Sequence, residues 1–166
     1  MDASLIVARV ARAIERHGLE AVLIGNAAAA MHGAPVTTVD LDFLFRRTLT
    51  NVKKLSAIAA ELGATLYSPF HPASKMMRMM NDDDGLQVDF LGEADGVPSF
   101  EGLRNRSHRM QVGNARVAVA DLADIIKMKR ATNRPRDRAV LEILEKTLEA
   151  IQASAETEAE NPPGAE

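Results

Sequence analysis

Between Thr38 and Phe45 the chain alternates: Val39, Leu41 and Phe43 are apolar, while Thr38, Asp40 and Asp42 are polar. A period of two marks a β-strand with one buried and one polar face, so the segment predicts a strand over residues 38–45. Leu41 and Phe43 then point into a core, and Asp40 and Asp42 project together from the opposite face. Two like charges side by side are costly to bury unless a cation neutralises them. A later segment of the same style, Leu86–Leu91, puts Val88 and Phe90 on one face and Gln87 and Asp89 on the other. If the two strands are neighbours, Asp40, Asp42 and Asp89 form a cluster of three carboxylates. Oxygen-only ligands on a rigid sheet suit Mg²⁺ or Mn²⁺ and not zinc. A lone Asp-x-Asp pair is usually only a polar strand face; the hydrophobic flanks and the second strand argue for more.

The rest of the chain reads as a mixture of helices and strands. Leu5, Ala8, Ala11 and Ile14 fall near helical spacing, with Gly18 as a stop. Ala21–Ile24 is a short buried strand, followed by a small-residue helix from Asn26 to about His32. A helix capped by Thr50 or Asn51 runs to Leu62, and a strand covers 64–67. Met76–Met80 and Leu86–Leu91 flank an Asp/Gly turn and predict a hairpin. Arg109–Val112 and Arg116–Val119 predict another about Gly113-Asn114. Two helices close the chain, from Asp121 to about Thr132 and from Pro135 to about Ser154. The four methionines at 76, 77, 79 and 80 read as core filling, and Asp82–Asp84 as an exposed turn. The four histidines have no ligand spacing and take no catalytic role, although His32 is placed near the site.

Just upstream of the acidic strand, Ile24-Gly25-Asn26 is a strand end, a glycine and a helix start. Glycine permits a tight turn and close backbone approach, and the new helix offers free N–H groups to an anion. The Asn26 amide is expected to cap that helix and donate to a phosphate. Glycines only at 25 and 33 do not match a dinucleotide fingerprint, and a Walker lysine is lacking.

Composition removes several alternatives. The chain of 166 residues fits a single domain over 1–154 followed by an acidic, flexible tail over 155–166. It has no cysteine, which excludes disulfide scaffolds, thiolate metal sites and thiol nucleophiles. Arg9, Arg12 and Glu15 interrupt the first apolar segment, so neither a signal peptide nor a membrane anchor is expected, and the location read is cytoplasmic. From Arg104 to Arg138 there are ten Lys/Arg against three acids, either a solvated helical face or a surface for polyanions. Trp is absent and Tyr occurs once, which weakens a base-stacking RNA-binding role.

Gly25-Asn26, then Val39-Asp40-Leu41-Asp42-Phe43, then Val88-Asp89-Phe90, together resemble the nucleotidyltransferase superfamily related to DNA polymerase β. The segment Met128–Asp137, with its Lys129 and Arg134-Pro135, is similar to the C-terminal signature of small single-domain members. Those include the nucleotidyltransferases of abortive-infection toxin–antitoxin systems. The resemblance spans roughly residues 20–145, with Asn26 where many relatives have serine and Pro35-Val36-Thr37 where an arginine is frequent. It implies an α/β (α+β) fold: a mixed central sheet flanked by helices, with a C-terminal helix pair. It implies Asp40, Asp42 and Asp89 as catalytic residues and ligands of Mg²⁺ or Mn²⁺, with Asp89 also the proton acceptor. Gly25, Asn26, Lys129 and Arg134 would bind the nucleotide, ATP or another NTP, and Asp137 would orient Arg134 or cap its helix. The implied activity moves a nucleoside monophosphate onto a hydroxyl of RNA or tRNA, a protein or a small molecule such as an aminoglycoside. An antitoxin protein is an implied partner. A second reading of the same residues is a catalytically weak nucleotidyltransferase-like binding or regulatory module.

Overall fold

The elements follow from these patterns, in chain order: α1 (Ala3–His17), β1 (Ala21–Ile24), α2 (Gly25–Met31), β2 (Leu41–Phe45), α3 (Leu49–Glu61), β3 (Thr65–Tyr67), β4 (Met76–Asn81), β5 (Leu86–Leu91), α4 (Phe100–Arg106), β6 (His108–Val112), β7 (Ala115–Val119), α5 (Leu122–Thr132) and α6 (Pro135–Glu160). The computed structural model describes residues 3–38, 40–68 and 75–160. Val39 and His71 therefore lie outside the described residues.

One mixed sheet takes the order β3-β4-β5-β2-β1-β7-β6. β2 runs antiparallel to β1 and parallel to β5, so it is covered on both edges. Period two then sorts its side chains. Phe43 and Phe90, paired across β2 and β5, stack at 5.5 Å, and Phe45 meets Phe90 edge-on. These three rings are almost fully buried and anchor the core. α1 packs on α3 and on β7, α2 on α5, and α5 on α6.

Three expectations shift. The strand predicted from residue 38 begins at Leu41, because its partner β1 ends at Ile24, opposite Asp42, where the chain turns into α2. Asp40 thus stands on the bend before β2, where the Thr38 hydroxyl donates to its backbone carbonyl at 2.7 Å. The last helix passes Ser154 and runs to Glu160, with every side chain from 151 to 160 exposed. Residues 155–160, read as the start of a flexible tail, are helical, and 161–166 lie outside the described residues. α4 was not expected; its seven residues hold only two large apolar side chains, Phe100 and Leu103, and Ser99 caps it by accepting from the Gly102 N–H.

Candidate nucleotidyl-transfer site

Asp42 and Asp89 occupy matched positions on the parallel strands β2 and β5, which puts their carboxylates on one face of the sheet. Gly25 follows β1 directly and opens α2 with φ +70°. A Cβ built on Gly25 would lie 2.8 Å from Asp42 Oδ2, so a side chain there would collide with the carboxylate as well as strain the backbone. A cavity of about 960 Å³ opens over this point. Gly25, Asn26, Asp40, Asp42, Asp89, Lys129 and Arg134 all lie on its wall, so the residues singled out from sequence are brought together.

Their surroundings differ. Neither Asp42 nor Asp40 has a side-chain hydrogen bond or ion pair with any described residue. Burial pushes the Asp42 carboxyl above its usual range, and the charges of Asp89 and Asp40 push the same way, against Arg136 and Lys129. Asp89, almost fully buried, is gripped by Arg78: Nε and Nη2 each donate at 2.7 Å to one of its oxygens. Among the described residues no group of three or more His, Cys, Asp or Glu side chains is placed to hold a metal ion. The expected three-carboxylate cluster is thus two bare acids beside a third that carries an internal cation.

The basic wall comes from the α5–α6 junction. Asn133 ends α5 in the left-handed conformation at φ 50°, and Asp137 sits in the first turn of α6. Asp137 accepts from the Thr132 hydroxyl at 2.8 Å and from the Arg134 backbone N–H at 3.3 Å. It also pairs with Lys129 Nζ at 3.4 Å and Arg134 Nε at 3.2 Å. Burial alone would raise its pKa, but these donors outweigh it and hold the carboxyl below the usual range. Lys129 and Arg134 are therefore tied to Asp137, whereas Arg136, which also lines the cavity, has no hydrogen-bond or ion-pair partner among the described residues.

Asn26 does not cap α2. Ile24 is the N-cap and no side chain bonds there; Asn26 lies inside the helix, and its Nδ2 donates to the Thr37 carbonyl at 3.2 Å. Its Oδ1 is buried without a partner among the described residues. His32 does not line the cavity; its Nε2 meets the Ala120 carbonyl at 2.8 Å, and its ring packs edge-on against His108. Met77 and Met79 fill the core as expected, whereas Met76 lines the cavity. In the turn, Asp84 pairs with Arg9 at 2.6 Å, so it is not simply an exposed acid. The basic stretch is mostly neutralised in place: Arg104, Arg106, Arg109, Lys127, Lys129, Arg130 and Arg134 each have an acidic partner.

Sequence reasoning missed Arg78 and Arg136. The hairpin supplied a signal for the first: pairing Asn81 with Leu86 and counting outward sets Arg78 opposite Asp89.

Residues 3–159 match the model of a family described as nucleotidyl transferase of unknown function (DUF2204). The chain belongs to this family. As a nucleotidyl transferase it is an enzyme. No curated protein matches it by sequence. Its fold is similar to that of ANT(2'')-Ia in complex with adenylyl-2''-tobramycin, with a TM-score of 0.64 at 15% identity over 93% of this chain and 94% of that one. The lincomycin-bound lincosamide antibiotic adenylyltransferase LnuA is similar at a TM-score of 0.62 and 11% identity, over 89% of this chain and 98% of that one. A putative nucleotidyltransferase from Thermotoga maritima is similar at 0.56 and 15% identity, over 88% and 92%. At these identities the likeness establishes a shared fold, and this nucleotidyl transferase spans nearly the whole of each. Among the described residues no helix is long and apolar enough to cross a membrane.

Proposed function

We propose that this enzyme transfers a nucleoside monophosphate from an NTP to a hydroxyl of a small, polar acceptor, with the help of a divalent cation. The observation that carries the reading is Asp42: a partly buried carboxylate with no hydrogen-bond or ion-pair partner among the described residues, set where only a glycine at 25 leaves it room, and lining a cavity that basic residues also line. Asp40 and Asp42 supply oxygen-only donors and an uncompensated charge, which fit Mg²⁺ or Mn²⁺. Such an ion, when bound, contributes positive charge that offsets the triphosphate.

The chain's own residues do the rest. Gly25 lets the triphosphate approach backbone N–H groups at the start of α2, with Asn26 fixing the turn against Thr37. Arg136 meets the phosphates with a guanidinium that is unpaired among the described residues, while Lys129 and Arg134 add charge from the positions where Asp137 holds them. The acceptor oxygen bonds to the α-phosphorus as the bond to the bridging oxygen breaks and pyrophosphate leaves. Asp89 keeps lone pairs beside its two bonds to Arg78 and takes the hydroxyl proton. Among RNA, protein and small-molecule acceptors, the last has the most support: two fold neighbours are named as adenylyltransferases of antibiotics, or hold an adenylylated one, and this chain covers nearly their full length.

The test is labelled-NTP transfer, with Mg²⁺ or Mn²⁺, to a panel of aminoglycosides, lincosamides and other polyhydroxylated compounds. The expected outcome is a product heavier by one nucleoside monophosphate, with pyrophosphate released, from wild type and not from Asp42→Asn. Transfer to none of them, together with NTP affinity that is the same in both proteins and indifferent to metal, would overturn the reading.

A further inference from the structure

The β4–β5 hairpin carries a feature the proposed reaction does not explain. Its register runs from Asn81 opposite Leu86 to Arg78 opposite Asp89. Met77 and Met79 are buried on the core face of β4, so alternation forces Arg78 onto the cavity face. There the guanidinium and the carboxylate meet through two parallel bonds, fork to fork, the strongest geometry this pair can adopt. The Asp89 side chain is only 9% exposed, and burying a charge is costly unless it is paired. A guanidinium does not lose its proton at any accessible pH, so the neutralisation is permanent. One strand away, Asp42 at the matching position has no such partner among the described residues.

We infer that Arg78 is a built-in counter-cation that satisfies Asp89, so that the site takes up one divalent ion, at Asp40 and Asp42, where a third free carboxylate would recruit two. Three carboxylates and one guanidinium leave two negative charges, which a single divalent ion balances. A second ion at Asp89 would have either to break two charge-assisted hydrogen bonds or to share the carboxylate with the guanidinium, and in both cases would sit beside that positive charge. Arg78 is thus a positioning residue: it acts through Asp89 and fixes that carboxylate's orientation. The inference rests on the reading that Asp40 and Asp42 hold an ion, and the experiment separates the two.

The full chain is titrated with Mn²⁺ alone, and free ion is counted by electron paramagnetic resonance. Wild type should saturate at one ion, and Arg78→Gln should acquire a second, while Arg78→Lys, which keeps the charge, should stay at one. Asp89→Asn should still bind one ion, since Asp89 is not a ligand; this variant keeps the idea testable if Arg78→Gln fails to fold. Two ions in wild type, one in a folded Arg78→Gln, or none in Asp89→Asn would each overturn the counter-cation. No ion in wild type, or full binding in the double substitution of Asp40 and Asp42 by Asn, would instead overturn the reading beneath it.

Discussion

Asp42 and Asp137 line the same cavity, and the fold treats them in opposite ways. Asp137 is surrounded by a hydroxyl, a backbone N–H, an ammonium and a guanidinium, and its pKa is lowered despite burial. Asp42 has no such hydrogen bond or ion pair among the described residues; burial and two neighbouring acids raise its pKa. One carboxylate is spent on structure, joining α5 to α6 at the Asn133 break, and the other is left exposed to whatever enters the cavity. Burial alone does not distinguish them. What does is the supply of donors within reach, which is how a fold marks an acid as a hinge pin or as a reactive group.

The sharpest way to break this contrast is Asp42→Asn. We expect transfer activity to fall by roughly 10²–10³-fold, the scale of other lost transition-state electrostatic contacts, while thermal melting at neutral pH shows a more stable protein. The sign follows from the raised pKa. Such an acid contributes stability below its unfolded pKa and loses it as pH rises through the folded value, so at pH 7 the native carboxylate is a liability. A melting temperature that drops at neutral pH would mean that Asp42 has a partner after all.

Asp137→Asn should do the reverse, destabilising by about 1–3 kcal/mol as buried donors lose their acceptor. Its depressed pKa places the native contribution above the unfolded value, lost as pH falls through the folded one, so wild type and variant should converge in acid. Denaturant melts at pH 7 and pH 3 check both size and slope; a difference that grows in acid would reverse the assignment.

Gly25→Ala probes the wall of the Asp42 site. A left-handed backbone at an alanine costs about 1–2 kcal/mol, and the new Cβ would also press on Asp42 Oδ2. Gly33→Ala is the control, with φ +91° but no neighbour within 4 Å. Stability should fall in both, turnover only in the first; equal kinetics would show that Gly25 serves the turn alone.

Arg136→Ala should be the mildest to the fold, within about 0.5 kcal/mol in a melt, since no partner is lost. The KM for NTP should nevertheless rise severalfold, as for a contact made before and during transfer. An unchanged KM would return the phosphate role to Lys129 and Arg134.

Much of this was readable beforehand because alternation is a direct imprint of the sheet. Asp42, Asp89 and their shared face follow from period two, and Gly25 from the junction of an apolar run with an alanine run. Asp40 was read one step too far into the strand, since where a strand starts depends on where its neighbour ends, which local pattern does not contain. Arg78 was overlooked among four methionines, although hairpin counting reaches it. Arg136 was hidden for another reason. Five cations, Lys129, Arg130, Arg134, Arg136 and Arg138, lie near Asp137 in the sequence, and only the geometry of the α5–α6 junction decides which two it holds. α4 has too few apolar positions to show a period.

The placement of Arg78 and Asp89 within one hairpin also bears on the order of assembly. They are eleven residues apart, joined by a turn that closes without waiting for the rest of the chain, and hairpins form in about 1–10 μs. Asp42 reaches Asp89 only when β2 docks, a contact between residues 47 positions apart with a larger closure entropy. If the hairpin closes first, Asp89 enters the sheet already neutralised, and β2 meets no bare charge on arrival. In refolding kinetics Arg78→Gln should slow the folding limb as well as hasten unfolding; an effect confined to unfolding would place the pair late. An ion pair that serves the finished site would then also guide the path by which the site is made.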